Sequence, residues 1–335
     1  MSKSDFSMNR RQVLRILTSA IAAVATGTGL SLGDASNAEA AEKMIAISFP
    51  NASIIGAVVT ELNAAKKKGA EMGYKVVIDD PGEDLNKQIN TIKVWIQQKV
   101  AAIVVNALEP EAFESVAKQA MAAGVIWITY GEKLKNQDAT VGYAQYHDGH
   151  ALGTYAGSWI TKTQGGKAKV ILLGYEKGVW GQQRGSGIKD GLLQAAPHAE
   201  IVAQQDAISP TEGLNVTRTL LEAHPDANVI LGVEDPATEG AYKAWIASGK
   251  NPHDPNAFIG GMDGTVPALK LLQKGGTVYR ASMAIPLTAV GDAMIITADS
   301  YIHGKGTGDD IVPLELVIEK SPKAAEYLAQ QGVSG

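Results

Sequence analysis

From Met44 onward the chain alternates short apolar runs with stretches whose apolar residues recur at helical spacing. Met44-Ile45-Ala46-Ile47-Ser48-Phe49 reads as a strand, and after it Val58, Leu62, Ala65, Gly69 and Met72 fall on one helical face that ends at Gly73. That is one β-α unit. Residues 76–78 give the next strand, and Leu85, Ile89, Ile92 and Ile96 follow at intervals of four, three and four. A strand at 101–105, a helix near 111–123 and a strand at 125–130 continue the alternation. The rhythm restarts after His147 with a helix to Ile160. Strands at 168–173, 200–203, 228–233 and 257–260 then alternate with helices at 187–195, 211–223, 237–248 and 265–273. The strands are runs of Val and Ile rather than strict alternations, as in a parallel sheet covered by helices on both faces. The pattern predicts an α/β chain of two doubly wound parallel-sheet lobes. No Gly/Ser- or Pro-rich linker separates them, so the lobes are expected to touch.

The first forty residues read differently. Asn9-Arg10-Arg11-Gln12-Val13-Leu14-Arg15 precedes a mild apolar run diluted by Gly27, Gly29 and Gly33, and Ala38-Glu39-Ala40 is a small-x-small cleavage pattern. Residues 1–40 are therefore expected to be a removable export signal of the twin-arginine type, cut near Ala40. The run is too short and interrupted for a membrane span. Cysteine is absent from all 335 residues. That removes disulfides, thiolate metal sites, a Cys nucleophile and any cysteine-linked lipid anchor. The product is expected to be soluble in a periplasm, with a mature net charge of −6 against −5 for the whole chain. This acidic balance gives no electrostatic footprint for nucleic acid.

In doubly wound sheets a ligand sits outside the carboxyl ends of the strands. The residues just past each strand are Pro50-Asn51-Ala52-Ser53, Asn106, Tyr130-Gly131-Glu132, residues 175–180, Glu234-Asp235 and Asp263-Gly264. Their polar, acidic and aromatic character suits a small polar molecule held by hydrogen bonds and ring faces. No phosphate loop, dinucleotide glycine fingerprint or nucleophile elbow occurs. His147 and His150 flank Asp148 without further ligands, and Asp148 reads as a helix cap on a solvated surface. Neither catalysis, a cofactor nor a metal is expected.

These residues together resemble the sugar-carrying periplasmic binding proteins of ABC importers, of the ribose-binding type. The resemblance runs from about Lys43 to Lys320. It is carried by Gly213-Leu214-Asn215-Val216 leading to Ala223-His224-Pro225-Asp226, by Glu234-Asp235-Pro236-Ala237, by Met262-Asp263-Gly264-Thr265 and by Gln183-Arg184-Gly185-Ser186-Gly187. It implies a Venus-flytrap of type I, two lobes joined by three crossovers, that closes on a ligand and hands it to a membrane permease. The crossovers would lie near Tyr146, Ala284 and Thr307, with residues 311–318 as the last returning strand. The lobes would comprise 43–145 plus 285–307 and 146–284 plus 308–320, with 321–335 as a tail or helix. A monomer is the family's habit.

Ligand contacts are expected at Asn51, Ser53, Tyr130, Glu132, Tyr146, Trp180, Gln182, Arg184, Glu234 and Asp263, with Asn51 or Ser53 in the polar role near the first strand. Asp263 matches the carboxylate that accepts from sugar hydroxyls. Other positions depart from the pattern: Gly131-Glu132 stand for Asp-Arg, Gln182 for an Arg, Glu234 for an Asn, Ile208 for a stacking Phe and Ala284 for a Gln. Glu132, Glu234 and Asp263 bring a formal −3 where the sugar-binding pattern sums to zero. Buried carboxylates without cations are costly, so either the ligand is cationic or Arg184, Lys133 or a cation neutralises them. Tyr130, Tyr146 and Trp180 offer ring faces to an ammonium group or to an apolar sugar face. A sugar or polyol is the leading expectation, with a cationic amine or quaternary ammonium, or a sensor presenting its ligand to a membrane receptor, as alternatives. A repressor sharing the two-lobe core would need a helix-turn-helix head where this chain carries an export signal.

Overall fold

The structure, a computed structural model, describes residues 43–333. The leader expected over 1–40 and its cleavage point near Ala40 lie outside the described residues. The first lobe opens with β1 (Lys43–Ser48), α1 (Gly56–Glu71), β2 (Tyr74–Asp79) and α2 (Leu85–Gln97). It continues with β3 (Ala102–Val105), α3 (Pro110–Ala122), β4 (Ile126–Tyr130) and β5 (Ala139–Gly142). Its strands pair in parallel in the order β2-β1-β3-β4-β5, which is doubly wound. The second lobe repeats the plan with α4 (Gln145–Gln164), β6 (Lys169–Gly174), α5 (Val179–Ala195), β7 (Glu200–Asp206) and α6 (Pro210–Ala223). It goes on through β8 (Val229–Gly232), α7 (Asp235–Ala247), β9 (Phe258–Asp263), α8 (Val266–Lys274) and β10 (Tyr279–Ala284). Here the parallel order is β7-β6-β8-β9-β10. Helix α9 (Leu287–Ile302) returns to the first lobe, β11 (Asp310–Ile311) adds in parallel beside β5, and β12 (Glu315–Ile318) adds antiparallel beside β10. The last described helix is α10 (Pro322–Gln330), capped by Ser321.

Both faces of each sheet are buried, which is why the strands read as continuous apolar runs. In β1, Ile45 and Ile47 join Val58, Leu62 and Ala65 of α1 and Met294 of α9, while Ala46 faces the other core with Ile92, Trp95 and Phe113. The second lobe has the same double core: α4 and α5 cover one face, and α6, α7, α8 and α10 the other. Helices α4 and α5 pack through glycines. A Cβ on Gly149 would stand 2.3 Å from the Arg184 carbonyl, and one on Gly187 would stand 2.1 Å from that of Tyr146. This close approach fixes Arg184 against the start of α4.

The chain passes between lobes at residues 143–144, 285–286 and 312–314. The sequence reading placed these passages near Tyr146, Ala284 and Thr307, and the third differs most. The single strand expected over 311–318 is two strands, because Pro313 has no N–H for a ladder and splits the run. Val312 N bonds Gly142 O on the first-lobe side, and Leu314 N bonds Asp148 Oδ1 on the other. Asp148 is therefore neither a cap nor a solvated group. The cap position of α4 is Ala144, and the Asp148 carboxylate, 1% exposed, pins the third passage. Among the described residues no helix is long and apolar enough to cross a membrane.

Candidate functional site

The loops past the strands of both lobes meet. Asn106, Ala107, Leu108 and Pro110 after β3, Tyr130, Gly131 and Glu132 after β4, and Trp180 on α5 line a cavity of about 310 Å³. All but Trp180 come from the first lobe, so the space is an interlobe cleft closed on one side by that ring. Tyr175 stacks on Trp180 with ring centroids 5.0 Å apart, leaving one face of the indole at most for a solute.

Behind Trp180, the strand ends of the second lobe gather around Arg184, which is 4% exposed. Its Nη1 donates to Asp263 Oδ1 at 2.8 Å and to Val233 O at 2.9 Å, and its Nε donates to Gln145 Oε1 at 2.7 Å. The guanidinium carbon lies 5.4 Å from the Trp180 ring centroid. One cation thus ties the ends of β8 and β9 to the first residue of α4. Burial works against its charge, and the Asp263 carboxylate, with Glu234 and Tyr143 behind it, holds the guanidinium charged.

Asp263 ends β9 at φ 103°, in the left-handed region that costs a non-glycine residue about 1–3 kcal/mol. A buried clamp holds the turn. Gly264 N donates to Ser282 Oγ at 3.1 Å, Ser282 Oγ donates to Asp235 Oδ2 at 2.8 Å, and Thr265 N donates to the same oxygen at 2.9 Å. Tyr279 Oη donates to Asp235 Oδ1 at 2.8 Å. Burial, with the Asp263 charge next in weight, pushes the Asp235 carboxyl up to about 8. Its neighbour Glu234 is half-buried and makes no side-chain hydrogen bond within the described residues. Burial and then the Asp263 charge push Glu234 up to about 8, with Arg184 pulling the other way.

The first-lobe wall is neutral apart from Glu132 at its rim. Asn51 sits in a left-handed turn at φ 57°, its carbonyl accepting from Ile54 N and Ile55 N. The Tyr130 hydroxyl donates to Glu61 Oε2 at 3.1 Å and is hydrogen-bonded to Tyr143, while Phe49 meets its ring edge-on at 4.9 Å. Glu132 lies exposed on the cavity rim.

Of the residues expected from sequence, Trp180, Arg184, Glu234 and Asp263 are drawn into one cluster, and of these Trp180 lines the cavity together with Tyr130 and Glu132. Three others are engaged elsewhere. Ser53 N and Oγ both donate to Asp80 Oδ2, at 2.9 and 2.6 Å, because the loop after β1 folds back on the one after β2. Tyr146 is 45% exposed on the outer face of α4, where its hydroxyl donates to Asp190 at 2.7 Å. Gln182 is exposed and donates to Glu176 O at 2.7 Å. The formal −3 shrinks accordingly: Asp263 is paired with Arg184, Glu132 is solvated and burial pushes the Glu234 carboxyl toward its neutral form. Lys133 takes no part, because it pairs with Asp309.

Sequence reading missed Glu61, Tyr143 and the bracing role of Asp235, and left Asn106 as one strand-end residue among several. Glu61 carried a signal: it lies on the helical face of Val58, Leu62 and Ala65, where a carboxyl must be buried. Among the described residues no cluster of three or more His, Asp or Glu is placed to hold a metal ion.

Two parallel-sheet α/β lobes joined by three passages leave a space between them, at the polar ends of their strands, of a size for a small solute. The chain belongs to the periplasmic binding protein domain family, whose model matches residues 45–306. It is 31% identical over 284 residues to the ribose import binding protein of Bacillus subtilis strain 168, covering 79% of this chain and 87% of the relative. A D-apiose import binding protein of Actinobacillus succinogenes is 25% identical over 252 residues, 75% of this chain and 79% of that one. The fold matches a Conexibacter woesei periplasmic ribose ABC transporter protein at a TM-score of 0.75 and 20% identity, over 86% of this chain and 95% of the other. A Bacillus halodurans solute-binding protein with bound myo-inositol matches at 0.70 and 20% identity, over 88% and 100% of the two chains. This is a family of binding proteins, not of enzymes.

Proposed function

We propose that the protein is the periplasmic solute-binding component of an ABC importer, and that it captures a neutral sugar or polyol in the interlobe cleft for delivery to a permease. The observation that carries this reading is the Arg184–Asp263 pair at the strand ends, with the unbonded Glu234 beside it and Trp180 closing the cavity. Polyhydroxylated ligands need fixed donors and acceptors around a ring-lined space, and this wall provides both. Its internal pairing also favours a neutral ligand, since the carboxylate a cation would need is already taken by Arg184. The named relatives and solved neighbours add ribose, apiose and inositol as the chemical range. Asn51, Asn106, Tyr130, Trp180, Arg184, Glu234 and Asp263 are the contacts of this reading. It carries a twin-arginine leader and a monomer with it.

A thermal-shift panel tests it, with D-ribose, D-apiose, D-allose and myo-inositol set beside choline and putrescine. A ligand at ~100 times its Kd adds ~2.7 kcal/mol to the folded state, so a true solute stands clear. Shifts with neutral sugars or polyols are expected. A shift confined to the cations would overturn the assignment of ligand class.

A further inference from the structure

Helix α10 lies past residue 306, where the family match ends. Ala324, Tyr327 and Leu328 bury one of its faces in the core of the second lobe, against Ala268, Leu269 and Leu272 of α8, and Val333 packs there after it. Lys323 pairs with Glu315 of β12 at 2.6 Å. The helix is thus anchored on the second lobe, yet its carboxyl end reaches the first. The last carbonyls of a helix have no partner within it, and one of them is answered here across the lobes. Gln330 O accepts at 2.9 Å from the hydroxyl of Thr60, on α1. The next side chain, Gln331, donates from Nε2 at 2.9 Å to the carbonyl of Gly264, the buried residue that follows Asp263 in its left-handed turn.

These two bonds complete a ring of contacts around the second passage. Ile285 N donates to Asp263 O at 3.2 Å, and the chain then runs into α9. Gly291 of α9 lies so close to α1 that a Cβ on it would stand 2.1 Å from the Glu61 carbonyl, so α9 and α1 form one body. Thr60, beside Glu61, leads through Gln330 and Gln331 back to the Asp263 turn. Covalent passages let two lobes turn by absorbing changes in a few backbone angles. A hydrogen bond next to them is less tolerant. At 2.9 Å it is lost once α1 and α10 draw apart by more than about 0.6 Å.

We propose that the carboxyl end of α10 is an interlobe strap, with Thr60 and Gln331 as its positioning residues. The Thr60 bond holds the lobes in the arrangement in which Trp180 and the first-lobe ring share one cavity, and Gln331 ties that arrangement to the turn that carries Asp263. Without the strap, wider arrangements gain weight. A solute that needs both lobes then binds in proportion to the fraction still closed. The effect on affinity rests on the solute-binding reading, whereas the effect on lobe separation does not.

The test reads both. The chain has no cysteine, so Val94→Cys on α2 and Leu193→Cys on α5, both exposed, each take one spin label, and dipolar distance measurement on the solute-free full chain reports the lobe separation. Thr60→Val should raise the ratio of longer to shorter distances about fivefold, the weight of one hydrogen bond. Thr60→Ser, which keeps the hydroxyl, should match the wild type. A Thr60→Val distribution identical to the wild type overturns the proposal. Calorimetry with D-ribose, D-allose and myo-inositol supplies the second arm. A solute bound by the wild type should lose about fivefold in affinity with Thr60→Val and with Gln331→Ala alike. The double variant should lose less than the product, because both bonds act through one segment. Losses that multiply would mean two unrelated local bonds and would sink the strap. No binding of any of the three solutes by the wild type would instead count against the solute-binding reading, and the label distances would decide the strap alone.

Discussion

The strand ends of the first lobe place Asn106, Tyr130 and Gly131 at the cavity, while those of the second gather Glu234 and Asp263 around Arg184. The two lobes share one strand order and one helix plan, so the contrast is not a matter of fold. It lies in what stands under each wall. The second wall rests on a buried polar clamp of Asp235, Ser282 and Tyr279, and on a cation bonded to two strand ends and a helix start. The first wall hides its single buried carboxyl, Glu61, behind Tyr130. A wall of fixed charges is preorganised for hydroxyl groups and expensive to disturb. A wall of neutral side chains gives shape and is cheap to alter. Substitutions should therefore cost very different amounts on the two sides.

The largest effect is expected for Arg184→Met. It strands the Asp263 carboxylate and removes bonds to Val233 O and Gln145, so a loss of about 3–5 kcal/mol in urea unfolding is expected. Tyr130→Phe on the opposite wall removes one hydroxyl and should cost about 1–3 kcal/mol, from the partners it leaves. Equal losses from the two variants would erase the contrast between the walls. Asp263→Asn comes next. Asn tolerates the left-handed backbone, so the turn should survive while the charge that pairs with Arg184 is lost. Calorimetry should then show affinity down by at least about 30-fold. Unchanged affinity would take Asp263 out of the site.

Glu234→Gln sharpens the comparison through pH. The folded state holds the Glu234 proton up to about 8, against an ordinary 4.5, so between these values it binds more protons than the unfolded chain. Wild-type stability then falls as pH rises across that window, and the loss is complete above about 8. The glutamine variant has no proton to lose there. Its advantage in Tm should be absent below about 4.5, grow through the window and level off above about 8, reaching on the order of 1–3 kcal/mol. Parallel Tm curves for the two proteins would mean that the Glu234 carboxyl is solvated.

Fold class was legible because apolar runs and helical spacing are set by double-faced burial, which leaves a periodic trace. The misses have physical causes. Strand β10, Tyr-Arg-Ala-Ser-Met-Ala, contains an arginine and a serine, and neither looks like a buried strand residue until its partners are seen. Arg280 bonds Ala257 O and Glu319, and Ser282 bonds Asp235. Helix α5 starts at Val179 rather than Gly187 because Gly181, Gly185 and Gly187 read as loop, although Gly181 and Gly187 are there for close packing. In the site, Asp263 and Glu234 were legible as carboxylates at strand ends. That Arg184 would pair with Asp263, and that Ser53, Tyr146 and Gln182 would bond locally, depends on rotamers and loop paths that no spacing encodes.

The smallest effect tests that last distinction. Ser53 is adjacent in sequence to the first-lobe wall, yet both its N and its Oγ are spent on Asp80, whose carboxyl is drawn down to about 2 chiefly by the Ser53 hydroxyl. A carboxyl lowered in this way adds stability above its ordinary 3.8, and that stability is lost as pH falls toward 2. The loop is open to solvent, so Ser53→Ala should cost less than about 0.5 kcal/mol at neutral pH, vanishing in acid, with solute affinity unchanged. A clear fall in affinity without a change in stability would mean that the bound state breaks the Ser53–Asp80 bond and turns the hydroxyl inward. The first wall would then contribute a directed polar contact on closure, and its neutrality would belong to the solute-free protein alone.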